Sequence, residues 1–92
     1  MKVKVKFFAT FREIFNSSEI EIGLENAPNV QQLLNYLCKS RKCRRGIFDR
    51  TGELRPDVMI LKNGKHIQSF DGIQTSLEAG DTIAMFPPLG GG

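Results

Sequence analysis

Asp81–Gly92, DTIAMFPPLGGG, holds a strand, a stop and a glycine run. Residues Thr82–Phe86 alternate, and Ile83 and Met85 are expected to face a core, which sends Thr82, Ala84 and Phe86 outward. Pro87 and Pro88 donate no ladder hydrogen bonds and favour extended geometry, so pairing is expected to end there. From Pro87, at about 3 Å per residue, the remaining chain could reach roughly 18 Å from the sheet. Glycine has no side chain, so a glycine run fits a narrow channel and admits close approach by another backbone. The pattern predicts a folded unit over residues 1–86 and a flexible tail over 87–92 that serves as a substrate.

A closing strand needs neighbours. KVKVKFF, Lys2–Phe8, puts Lys2, Lys4 and Lys6 on one face and Val3, Val5 and Phe7 on the other, a half-buried strand. Phe8 breaks the pattern by falling on the lysine face. EIEI, Glu19–Ile22, alternates again and predicts a hairpin with the first strand, Ile20 and Ile22 inward, across a loop with at most a helical turn. NVQQLLNYLCKSRK, Asn29–Lys42, reads as one main helix with Val30, Leu33, Leu34, Leu37 and Cys38 in a single apolar stripe. Asn29 is its expected N-cap and Gln32 can complete a capping box, while cations crowd the far end. DVMILKNGKHIQ, Asp57–Gln68, reads as strand, Asn-Gly turn and short strand. The order is strand, strand, helix, strand, short strand, strand, which describes an α+β roll with the helix on one face of a mixed sheet of four to five strands. If the last strand lies parallel beside the first, Phe8 and Phe86 meet at one end of the helix-free face as a docking surface.

The chain has 92 residues and a net charge of +3, enough for one modest core. No apolar run is long enough for a membrane span or a secretory leader, and a cytoplasmic location is expected. Cys38 and Cys43, five apart on a continuous helix, would lie on different faces, so reduced thiols are expected and neither a disulfide nor a metal site. Arg41–Arg45, RKCRR, reads as a solvated helix end, and without an aromatic platform nucleic-acid binding is not expected. His66, the one histidine, reads as a surface residue, and the scattered carboxylates form no acid–base pair.

VKFFATFREI (Val5–Ile14) and NGKHIQSFDGIQTSLEAGDTIAMFPPLGGG (Asn63–Gly92) resemble the ubiquitin-like sulfur carriers. That family includes the small subunit of molybdopterin synthase, the thiamine-pathway carrier and the archaeal small modifiers. Its molybdopterin-type members typically carry DGDEVAIFPP…GG, close to AGDTIAMFPPLGGG (Ala79–Gly92) here. The resemblance implies a β-grasp fold and a carrier that is modified by enzymes and is not itself one, with no bound cofactor. It also implies that a ubiquitin-activating-like adenylyltransferase uses ATP to adenylate Gly92, and that sulfur from a persulfide donor then leaves a thiocarboxylate. By the same resemblance Gly90 and Gly91 thread the partner's active site, and Phe8, Phe86, Pro87 and Leu89 contact partners. The implied destination of the sulfur is molybdopterin, through the large subunit of molybdopterin synthase; the alternative is attachment of Gly92 to lysines of target proteins. Members usually end in two glycines after a variable residue; either Gly90 fills the variable slot, the favoured reading, or the chain is trimmed.

Overall fold

Strand β1 (Lys2–Phe7) follows its alternation through its whole length, with Val3, Val5 and Phe7 buried and the lysines exposed. The computed structural model describes residues 1–26 and 28–88. β1 pairs antiparallel with β2 (Glu19–Gly23), placing Val3 opposite Ile22 and Val5 opposite Ile20. On the outer face Lys2–Glu21 and Lys4–Glu19 lie 3.7 and 3.8 Å apart, exposed pairs that add little to stability. The connection between these strands contains a short helix, α1 (Phe11–Ile14), that buries Phe11. The residue after α1, Phe15, stacks on Phe7 at 4.2 Å between ring centroids.

Helix α2 (Val30–Leu37) starts as the sequence predicts. Gln32 N–H donates to Asn29 Oδ1 at 2.9 Å, and Asn29 N–H donates back to Gln32 Oε1 at 3.0 Å. Two orphan amides are thereby satisfied at once. Val30, Leu33 and Leu34 are buried, in one cluster with Val3, Val5, Phe7, Ile60, Ile83 and Met85.

The end of this helix differs from the expectation of one run over 29–42. Cys38 adopts extended backbone (φ −101°, ψ 91°), and a separate helix α3 (Arg41–Ile47) begins behind Ser40. Ser40 is the cause: its Oγ accepts Cys43 N–H at 3.1 Å, capping a new helix inside the apolar pattern. Two expectations fall with it. The basic run belongs to α3 and not to the last turn of α2, which has no basic residue. Cys38 and Cys43 no longer lie on one helical cylinder; the bend brings their Cα atoms to 5.3 Å and they form a disulfide, in place of the reduced thiols expected.

β3 (Met59–Lys62) and β4 (Lys65–His66) flank Asn63–Gly64. Both turn residues have positive φ, 50° and 85°, as the tight hairpin turn requires. β5 (Thr82–Phe86) enters between β1 and β3, giving the order β2-β1-β5-β3-β4. It runs parallel to β1, with Val5 beside Ile83 and Phe7 beside Met85, and antiparallel to β3. The mixed five-stranded sheet and its parallel central pair match the expected α+β roll. Among the described residues no helix is long and apolar enough to cross a membrane.

A buried carboxylate ties the β3–β4 turn to the start of β5. Asp81 Oδ2 accepts Glu78 N–H at 2.8 Å, Oδ1 accepts Asn63 Nδ2–H at 2.9 Å, and Lys62 Nζ stands 3.6 Å away. Burial pushes this carboxyl up, but the Glu78 amide, the Asn63 amide and Lys62 together outweigh it and hold it below the ordinary carboxylate value. A folded pKa below the unfolded one means stability that is present above the unfolded value and lost as pH falls through the folded value. We expect Asp81→Ala to cost about 1–3 kcal/mol at neutral pH, because it removes two part-buried hydrogen bonds to a charged acceptor and the ion pair of Lys62, which keeps its bond to Ser76 O. Urea unfolding of both proteins across pH checks this: the gap should close below the ordinary carboxylate range, and a pH-independent gap would contradict the assignment.

Candidate interaction face and C-terminal segment

The face of the sheet opposite α2 is set by strand parity. Every second residue of β1 and β5 that does not enter the core points to it, and the last of these positions are Phe8, just past β1, and Phe86. Phe8 N–H donates to Met85 O at 3.2 Å, which carries the parallel pairing one residue beyond β1. The two rings stack with centroids 4.3 Å apart and planes 8° from parallel. Each is half-buried, less exposed than a pair of free aromatics, because each covers one face of the other. Arg12 closes one side of the pair: its guanidinium lies 5.7 Å from the Phe8 centroid while its Nε–H donates to Phe7 O at 3.0 Å.

The antiparallel register extends the patch. Met59 stands opposite Phe86 and Leu61 opposite Ala84, on the same outer face. Met59 is 37% exposed. Phe8, Phe86 and Met59 therefore form an apolar row across three neighbouring strands, at the end of the sheet where β5 leads into residues 87–92. Met59 and Leu61 were not singled out from the sequence, although the Asn63–Gly64 turn and an inward Ile60 contain the parity that places them.

Pro87 is buried and Pro88 half-buried, so the chain stays against the body of the fold for at least one residue past Phe86. Leu89, expected to contact a partner, Gly90 and Gly91, expected to thread it, and Gly92, expected to be modified, lie outside the described residues. His66 is half-buried, and its Nδ1 accepts Gln68 N–H at 3.1 Å, a capping role for the turn at Ile67–Ser69. Among the described residues no group of three or more His, Cys, Asp or Glu side chains could hold a metal ion. The arrangement presents an apolar platform at the exit of β5, a geometry that suits binding.

Comparisons with known proteins bear on this geometry. Residues 5–92 match the family model described as the ThiS family. Small archaeal modifier protein 3 of Haloferax volcanii is 35% identical over 92 residues, covering 100% of both chains. The crystal structure of SAMP1 from Haloferax volcanii superposes with a TM-score of 0.85 at 26% identity, again over 100% of each chain. A protein from Pyrococcus furiosus assigned as molybdopterin converting factor, subunit 1, superposes with a TM-score of 0.73 at 30% identity, over 97% of this chain and 99% of that one. The fold is that of the ubiquitin-like β-grasp proteins.

Proposed function

The chain belongs to the ThiS family of sulfur carriers and ubiquitin-like modifiers, and from that premise we propose that it is a sulfur carrier whose Gly92 is the working group. The family's members are small carriers and modifiers and not catalysts; this chain is likewise a substrate of its partners, and the catalytic groups are theirs. An adenylyltransferase joins the Gly92 carboxylate to AMP, with pyrophosphate released from ATP. The step is needed because a carboxylate is a poor electrophile and AMP is a good leaving group. The terminal sulfur of a persulfide donor then displaces AMP to give an acyl disulfide. A second thiol, of the donor or of the medium, attacks the donor's sulfur, so that the C-terminal thiocarboxylate leaves and the two thiols end as a disulfide. A synthase large subunit receives that sulfur for molybdopterin, in the cytoplasm, where ATP and the activating enzyme are available.

The observation that carries this reading is the placement of the apolar row. Phe8, Phe86 and Met59 lie at the exit of β5, which ends six residues before Gly92, so a partner that docks on them sits where the chain leaves the sheet. Docking energy spent on the row can then position Gly92 without any contact to glycine side chains. Residues 1–86, with Pro87 packed against them, form the docking body, and the chain after them is the reaching segment.

A second reading rests on the similarity to Small archaeal modifier protein 3. The same activated Gly92 would be attacked by a lysine amine of a target protein, giving an isopeptide bond. Purification of tagged protein from host cells under denaturing conditions separates the two. Lysine peptides branched through Gly92 establish the modifier; only a free chain, with sulfur transfer to a synthase reaction, establishes the carrier.

A further inference from the structure

We propose that the concave surface between the end of α3 and the connector before β3 binds closely spaced phosphate groups. It is lined by Arg44, Arg45, Arg50 and Arg55, with Phe48 at its base and Asp49 as the one carboxylate. Helix α3 buries Cys43 and Ile47, which turns Arg44 and Arg45 outward. The opposite wall is tied back to the helix: Arg55 N–H donates to Ile47 O at 2.8 Å and Asp49 N–H donates to Glu53 O at 2.8 Å. Arg55 is oriented by a two-point contact with Asp57, at 3.2 and 3.0 Å, and its Nη1–H donates to Arg45 O at 3.3 Å. The groove is thus preformed by backbone and side-chain bonds.

Apart from Arg55, which pairs with Asp57, its charge is not neutralised internally. Among the described residues Arg44, Arg45 and Arg50 have no ion pair. Asp49 turns Oδ1 into its own loop, where it accepts from Thr51 N–H, Thr51 Oγ1–H and Glu53 N–H at 2.9, 2.6 and 3.1 Å. Complementing the helix dipole explains Arg44 and Arg45 at the end of α3, but Arg50 and Arg55 lie beyond the helix, so the dipole does not account for the cluster. Guanidinium groups converging from two walls match the oxygens of neighbouring phosphates in two-point contacts.

The groove reads phosphate and not bases. Phe48, its one aromatic, is buried, and Arg44 lies over its ring at 4.7 Å, so no free aromatic face remains for base stacking. The shared ligand chemistry is a run of phosphates, supplied either by a free oligophosphate or by the backbone of a single-stranded nucleic acid.

Titration of the full-length chain with tripolyphosphate, and separately with a single-stranded oligonucleotide, tests this by amide chemical-shift mapping at low salt. Shifts should concentrate on residues 44–55, and affinity should fall with added salt. The double variant Arg45→Gln/Arg50→Gln should weaken binding about tenfold or more with an unchanged melting temperature, since both side chains are exposed. Phe86→Ala should leave this binding unchanged, which separates the groove from the docking row. Tighter binding of tripolyphosphate identifies a free oligophosphate, and tighter binding of the oligonucleotide identifies a phosphodiester chain. Absence of binding at millimolar ligand overturns the proposal, as does full affinity in the double variant. Preference for a glutamate-rich peptide over both phosphate ligands also overturns it and assigns the surface to an acidic protein.

Discussion

Deletion of Gly91 and Gly92 is expected to abolish ATP-dependent activation while leaving the unfolding midpoint where it was. The truncated chain still ends in glycine, at Gly90, so any loss reports reach and not the chemistry of the last residue. Two residues of extended chain span roughly 7 Å. Misplacement of a reacting group by about 1 Å can cost roughly 100-fold, so withdrawal of the carboxylate by this distance should reduce pyrophosphate release at least about 1,000-fold. The body of the fold is untouched, because the core cluster is drawn from Val3 to Met85. Equal activation of the truncated and full chains would show that Gly92 is not the acceptor.

Phe86→Ala should divide its effects between binding and folding in a characteristic ratio. The ring is half-buried and stacked on Phe8, so its loss should cost the fold about 1–2 kcal/mol from lost stacking and burial. The same ring is central in the row between Phe8 and Met59. If a partner covers that row, truncation should weaken the complex about 30-fold or more, the scale of a central aromatic anchor. Calorimetric titration with the activating enzyme, beside thermal melts of the free chain, gives both numbers. Affinity unchanged despite a lowered melting temperature would make the pair a purely structural feature.

Much of this face was legible in the sequence because period-two alternation carries parity with it. Once Lys2, Lys4 and Lys6 are outward, Phe8 has to be outward, and the inward pair Ile83 and Met85 sends Phe86 the same way. The Asn63–Gly64 turn was equally readable, since few residue pairs tolerate positive φ at both positions. The stacking of the two rings was not readable, because it depends on the register between strands far apart in sequence. Met59 was missed for the same reason: its place beside Phe86 follows from pairing with β5 and not from its own neighbours.

The junction of α2 and α3 failed differently. The apolar stripe continues through Cys38, and periodicity alone favours one helix. Ser40 competes locally for Cys43 N–H, and that single cap divides the run. One misplaced boundary then altered the reading of both cysteines, since five residues on a cylinder and five residues around a bend place side chains quite differently. It also altered the basic cluster, which joined Arg50 and Arg55 in a groove where the sequence had offered only a charged helix end.

The central claim is that Gly92 receives sulfur. It is tested most directly by the intact mass of the full chain after incubation with ATP, a persulfide donor, a thiol reductant and the adenylyltransferase of its host. We predict a mass gain equal to exchange of one oxygen for one sulfur, located to Gly92 by fragmentation and absent without ATP. An unchanged mass, under conditions in which a known carrier is converted, would contradict the account.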